Sequence, residues 1–174
     1  VSLLELQAPV DTHVHLRDLG WSHKATFASE TAAALAGGYW AVMDMPNTPP
    51  ATTSVAGLRA KKGKLTATAH CDVGAWLGAS GQGPLRDPDL EAADRCAIGL
   101  KMYCDPTTGE LLVADTPTRR AHLAAWRRMS RRPVAVHAEG PTLELVLDLA
   151  RETGARVHFC HVSEAAEISV LRRA

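Results

Sequence analysis

The chain has 174 residues, of which 46% are hydrophobic, and its 19 basic and 19 acidic side chains cancel to a formal net charge of zero. That length suits one domain with a sizeable core, and the balanced charge speaks against an electrostatic nucleic-acid binder. No apolar run is long enough to span a membrane, and the opening VSLLELQAPV lacks a basic signal-peptide head, so a cytoplasmic protein is expected.

In chain order, six short runs have β character: APVDTHVH, YWAVMDM, TATAHCDVGAWLG, AIGLKMY, PVAVHAE and ARVHFCHV. Helical spacing occupies residues 26–35 and residues 118–129, the second opened by the start signal at Asp115. A third helix covers residues 142–152 and stops at Gly154, and Ser163 N-caps a fourth through SEAAE. The stretch ASGQGPLRDP reads as a loop. Strands alternating with helices predict a parallel sheet with helices outside it.

No GxGxxG or phosphate-binding loop follows any strand, which removes the best support for a nucleotide-binding sheet. Instead, chemically capable residues recur at strand ends: His13 and His15, Asn47, Lys101, His137 and His161. A parallel (β/α)8 barrel gathers those ends into one mouth, where its chemistry is placed. The expected fold is therefore an α/β barrel of the TIM type. At 174 residues against roughly 250 for a complete barrel, about six of its eight units are present, in a single partial domain over residues 1–174.

His13 and His15 are two apart, so on a strand both imidazoles leave the same face. Alone such a pair is either a hydrogen-bonded structural feature or a metal grip. His137 and His161, each closing an apolar strand, shift the balance toward ligands, and four neutral imidazoles suit zinc. Lys101 ends a buried-looking strand; a lysine in a partly dry site beside cations loses its proton more easily, and its amine then reacts with carbon dioxide. The resulting carbamate has two anionic oxygens with which to bridge two metals. Cys71, Cys96, Cys104 and Cys160 form no CxxC pair and read as reduced and mostly buried.

Taken together, DTHVHLRD, FASETAAALAGG, DMPNTPP, GLKMY, VHAE and HFCHVS resemble the amidohydrolase superfamily, and within it the lysine-containing branch of dihydroorotases. The resemblance implies two zinc ions: His13 and His15 on one, His137 and His161 on the other, and carbamylated Lys101 between them. It also implies that Arg17 and Asn47 bind the substrate carboxylate. A guanidinium fork and an amide donor suit that role. The implied reaction is reversible hydrolysis of the cyclic amide of dihydroorotate to N-carbamoyl-aspartate, in pyrimidine synthesis. Implied partners beyond that substrate are a second copy of the chain or an aspartate transcarbamoylase.

The family also uses an aspartate after its eighth strand as general acid and base, and the chain ends at LRRA before any such strand. Activity is therefore expected only of a complete chain. Two other functions compete: a non-catalytic dihydroorotase-like scaffold, and an allantoinase- or hydantoinase-type enzyme, whose relatives depart from the HLR and MPNT motifs. His23, Glu139 and Cys160 receive no role.

Overall fold

A computed structural model of the protein describes residues 7–174. Its strands are β1 (Val10–Val14), β2 (Ala41–Asp44), β3 (Asp72–Ala75), β4 (Leu77–Gly78), β5 (Leu100–Tyr103), β6 (Val134–His137) and β7 (Val157–Phe159). Every pairing between them is parallel and joins neighbours in sequence, β1-β2-β3 in one sheet and β4-β5-β6-β7 in the next. Only Trp76 separates β3 from β4, so the two sheets form one arc of six successive strand runs. The incomplete parallel barrel expected from the sequence is the architecture found.

Helices α1 (Phe27–Ala36), α2 (Val55–Thr68), α3 (Asp87–Asp94), α4 (Thr116–Met129), α5 (Pro141–Thr153) and α6 (Ala165–Arg172) connect or follow the strands. Helix α1 starts with a capping box between Thr26 and Ser29; α4 starts where Asp115 accepts the Thr118 N–H. Helix α5 ends at Gly154, whose φ of 67° is the left-handed cap that glycine adopts without a Cβ clash.

Three sequence expectations need correction. Residues 66–68 of the supposed third strand are the last turn of α2, and only residues 72–78 run along the sheet. Thr66 and Thr68 look β-like, while the buried stripe that makes α2 a helix contains a lysine: Leu58, Lys61 and Leu65 face inward. The supposed loop 79–88 already contains the first residues of α3, with Pro88 in its first turn, where the missing N–H costs nothing. The N-cap of α6 is Glu164, reciprocally bonded with Glu167, in place of Ser163.

Burial explains the arc. Val134 and Val136 of β6 join the large apolar cluster that also holds Leu123, Trp126, Leu143 and Val146 from the helices, whereas Ala135 between them joins a smaller cluster with Met45, Trp76 and Cys160. Alternate residues of one strand thus enter two cores, as in a sheet covered on both faces. Gly99 makes room for Trp76: a Cβ at that position would lie 2.4 Å from the indole ring. The indole N–H in turn donates to Thr12 O of β1, 3.0 Å away. An opening of about 490 Å³ lined by Thr12, Met43, Trp76, Ile98 and His158 lies beside this contact.

Candidate metal centre

The four expected imidazoles converge. His13 stands with its ring centre 5.4 Å from that of His15 and 5.3 Å from that of His161, and the rings of His137 and His161 are 4.9 Å apart. They come from the ends of β1, β6 and β7, which the parallel arc brings to one side. His161 sits just past β7 with a φ of 37°, a left-handed conformation that a non-glycine residue holds only when its surroundings fix it.

Lys101 is fully buried on β5, and its Nζ has Cys160 Sγ at 3.1 Å as its hydrogen-bond partner. Burial, first of all, holds its pKa below that of an ordinary lysine. Burial also lowers the pKa of His13 to about 3, helped by the Lys101 charge, and lowers those of His15 and His161. Rings that resist protonation keep their lone pairs free, as a metal ligand must.

Among the described residues, no three His, Cys, Asp or Glu side chains already form a metal-holding group. Pairs within the cluster nevertheless fit a cation. His137 Nδ1 and His161 Nε2 face each other at 3.2 Å; two nitrogens on one tetrahedral zinc, each about 2.0–2.1 Å from it, stand about 3.3 Å apart. The second nitrogen of His137, Nε2, is buried without a hydrogen-bond partner and lies 3.5 Å from Glu139 Oε1.

His15 has a more settled partner: its Nδ1 is 2.9 Å from Asn47 Oδ1. An amide oxygen only accepts, so Nδ1 carries the proton and Nε2 is the free lone pair. The Asn47 NH2 donates to Thr108 O at 2.8 Å, tying β2's end to the loop after β5. Asn47 therefore spends both ends of its amide on the protein. Beside it lies a cleft of about 530 Å³ lined by Trp21, Pro49, Pro50, Gly109 and Glu110.

Arg17 follows β1 in a run of three left-handed residues, with φ of 60° at Arg17, 56° at Asp18 and 49° at Leu19. Buried Asp18 holds this run: its carboxylate accepts N–H groups of Leu19 and Phe27 and pairs with Lys64. The Arg17 guanidinium lies 5.5 Å from the centre of the Trp21 ring, and its charge lowers the pKa of His15.

Sequence reasoning missed two neighbours of the site. Tyr103 is two residues beyond Lys101, so the strand period puts both on one face; its ring lies 4.8 Å from Lys101 Nζ, and its hydroxyl is buried without a hydrogen-bond partner. Asp44 is sealed from solvent at the end of β2, where it accepts the Leu16 N–H and pairs with Lys61.

This chain is 39% identical over 172 residues to the "Multifunctional protein CAD" of Squalus acanthias, covering 99% of the chain and 7% of that protein. It is 33% identical over 187 residues to a dihydroorotase of Aeropyrum pernix, covering 96% of the chain and 43% of the relative. The chain belongs to the dihydroorotase-related amidohydrolases. No family model matches it. Among solved structures, an L-hydantoinase from Arthrobacter aurescens superposes with a TM-score of 0.84 at 19% identity, over 94% of the chain and 43% of that enzyme. An inactive dihydroorotase-like domain of a Chaetomium thermophilum CAD-like multifunctional protein gives 0.73 at 17% identity, over 94% of the chain and 47% of that domain. The two solved structures share the fold of the chain, and the chain spans less than half of each of the four proteins.

Proposed function

We propose that residues 1–174 form the larger part of one zinc-dependent dihydroorotase barrel, which opens the cyclic amide of dihydroorotate to N-carbamoyl-aspartate and closes it in reverse. The observation that carries this reading is the convergence of His13, His15, His137 and His161 around a fully buried Lys101 at the ends of β1, β5, β6 and β7.

His13 and His15 would hold one zinc ion, His137 and His161 the other, and the carbamate of Lys101 would join them. When bound, such ions lower the pKa of water to about 7 and polarise a carbonyl. The chain's own residues prepare the site in three ways. Burial keeps His13, His15 and His161 neutral, Asn47 fixes the tautomer of His15, and Arg17 offers a two-pronged donor to a carboxylate. Asn47, whose amide is shared between His15 and Thr108, would reach the same carboxylate only through its second N–H, at the edge of the adjacent cleft.

Allantoinases are also among the relatives, one from Streptomyces avermitilis at 31% identity over 93% of the chain. Arg17 favours dihydroorotate over allantoin or hydantoin, because only dihydroorotate carries a ring carboxylate for the guanidinium fork. The retained histidines and Lys101 favour an enzyme over a metal-free scaffold. No helix among the described residues is long and apolar enough to cross a membrane; together with the balanced charge this supports a cytoplasmic enzyme with no nucleic-acid partner. Relatives named as multifunctional proteins support work beside other catalytic units, with a second copy or an aspartate transcarbamoylase as the candidate partner.

The test is turnover by a full-length protein that contains this chain, loaded with zinc and bicarbonate, on dihydroorotate and on hydantoin. Dihydroorotate hydrolysis that disappears in Lys101→Ala, with a selective loss on dihydroorotate in Arg17→Met, is the expected result. Equal losses on both substrates in Arg17→Met would remove the carboxylate clamp. Turnover that survives in Lys101→Ala would remove the bridge.

A further inference from the structure

Four buried side-chain polar atoms among the described residues lack a hydrogen-bond partner, and two of them, Tyr103 Oη and His137 Nε2, belong to side chains around Lys101. Tyr103 is 4% exposed, its ring lies 6.3 Å from that of His137, and Lys101 Nζ stands over its face at 4.8 Å. A phenol left dry and unpaired is costly and rare in a native core. In its ammonium form the neighbouring Lys101, which donates to Cys160, offers it no acceptor.

A carbamate changes that inventory. The lone pair of neutral Lys101 Nζ bonds to the carbon of carbon dioxide, one C=O π pair moves to oxygen, and Nζ releases one proton to solvent. The product is R–NH–COO⁻, whose oxygens lie about 2.3 Å beyond the nitrogen by ordinary amide geometry. Directed toward the ring's hydroxyl edge, that extension places an acceptor closer to the Tyr103 hydroxyl than the amine nitrogen over the ring face stands.

We propose that the Tyr103 hydroxyl donates to the carbamate formed on Lys101, which makes Tyr103 a positioning residue for the bridging ligand. The inference rests on the carbamate reading above and adds to it the group that stabilises the anion. Strand geometry supports it, since Lys101 and Tyr103 are i and i+2 on β5 and share a face. A hydrogen bond to an ionised acceptor is about twice as strong as a neutral one, so the donor favours the carbamate over the free amine.

The experiment compares the protein with Tyr103→Phe, which removes the hydroxyl and little else. Each is given zinc and 13C-bicarbonate, followed by carbon NMR of the carbamate and by competition for zinc with a chelator; the melting temperature of the metal-free protein serves as the folding control. Tyr103→Phe is expected to melt at or above the parent temperature, because an unpaired buried hydroxyl has been deleted. Its carbamate signal should weaken and its zinc affinity fall about 10–100-fold. A variant that keeps the signal, and zinc affinity within about twofold, overturns the inference. So does a clearly lower melting temperature without metal, which would reveal a structural partner for the hydroxyl. A parent protein with no carbamate signal overturns the Lys101 reading and this inference together.

Discussion

Asp44 and Lys61 form an ion pair at 2.5 Å with both side chains sealed from water, and the pair underlies the segment that carries His15 and Arg17. Asp44 uses Oδ1 to accept the Leu16 N–H at 2.8 Å, and Lys61 donates to Met45 O at 2.7 Å. The ends of β1 and β2 are thus fastened to each other and to α2 by two opposite charges.

Removing one of those charges leaves the other buried and unpaired. Lys61→Met should cost about 3–5 kcal/mol of stability, measured by urea denaturation. Combining it with Asp44→Asn should cost less than the sum of the single variants, because the stranded charge is gone. Additive losses would show that the two side chains do not act as a pair.

Asp18 holds the left-handed run that presents Arg17. Asp18→Ala leaves the N–H groups of Leu19 and Phe27 without their acceptor, so the expected loss is about 2–3 kcal/mol. Proteolysis should then open the stretch around Arg17 before the rest of the barrel. A protection pattern identical to that of the parent would count against this anchoring role.

Asn47→Ala tests the tautomer of His15. Without the amide oxygen, His15 Nδ1 loses its acceptor, and zinc affinity should fall about 10–100-fold in chelator competition. A change in KM with zinc affinity intact would place Asn47 on the substrate and not on the ligand.

Acid should weaken the metal-free fold. In the unfolded chain a histidine takes up its proton near pH 6.5, whereas folded His13 stays neutral down to about pH 3, and His15 and His161 are shifted in the same direction. Between those limits the unfolded state binds more protons, so stability is fully present above about pH 6.5 and drains away as the pH falls through the window. Thermal melts in chelator from about pH 7.5 to about pH 5 should show this decline, with a shallower slope in His13→Asn. A melting temperature flat across that range would mean that the imidazoles are hydrated.

Much of this was legible in the residues. Alternating apolar runs and helix caps such as Asp115 and Gly154 identified the six strand runs and four of the six helices, because capping and periodicity are local chemistry. The histidine spacing at residues 13 and 15 and the lone polar residues closing apolar strands marked the site for the same reason. Helix α2 escaped because Lys61 occupies a core position in its inward stripe, a substitution that only a carboxylate from another strand makes tolerable.

What the sequence alone determined, then, is the order of the strand runs and the side chains that the proposed metal centre would use. Tertiary structure decided which groups meet. Asp44 with Lys61, Asn47 with His15 and Thr108, and Tyr103 beside Lys101 and His137 are relations across strands, at spacings no periodicity encodes. Parallel strands set side by side fix those distances through backbone pairing, and the burial they create shifts the charges of His13 and Lys101. Each shift is a property of the closed surroundings and not of the side chain by itself.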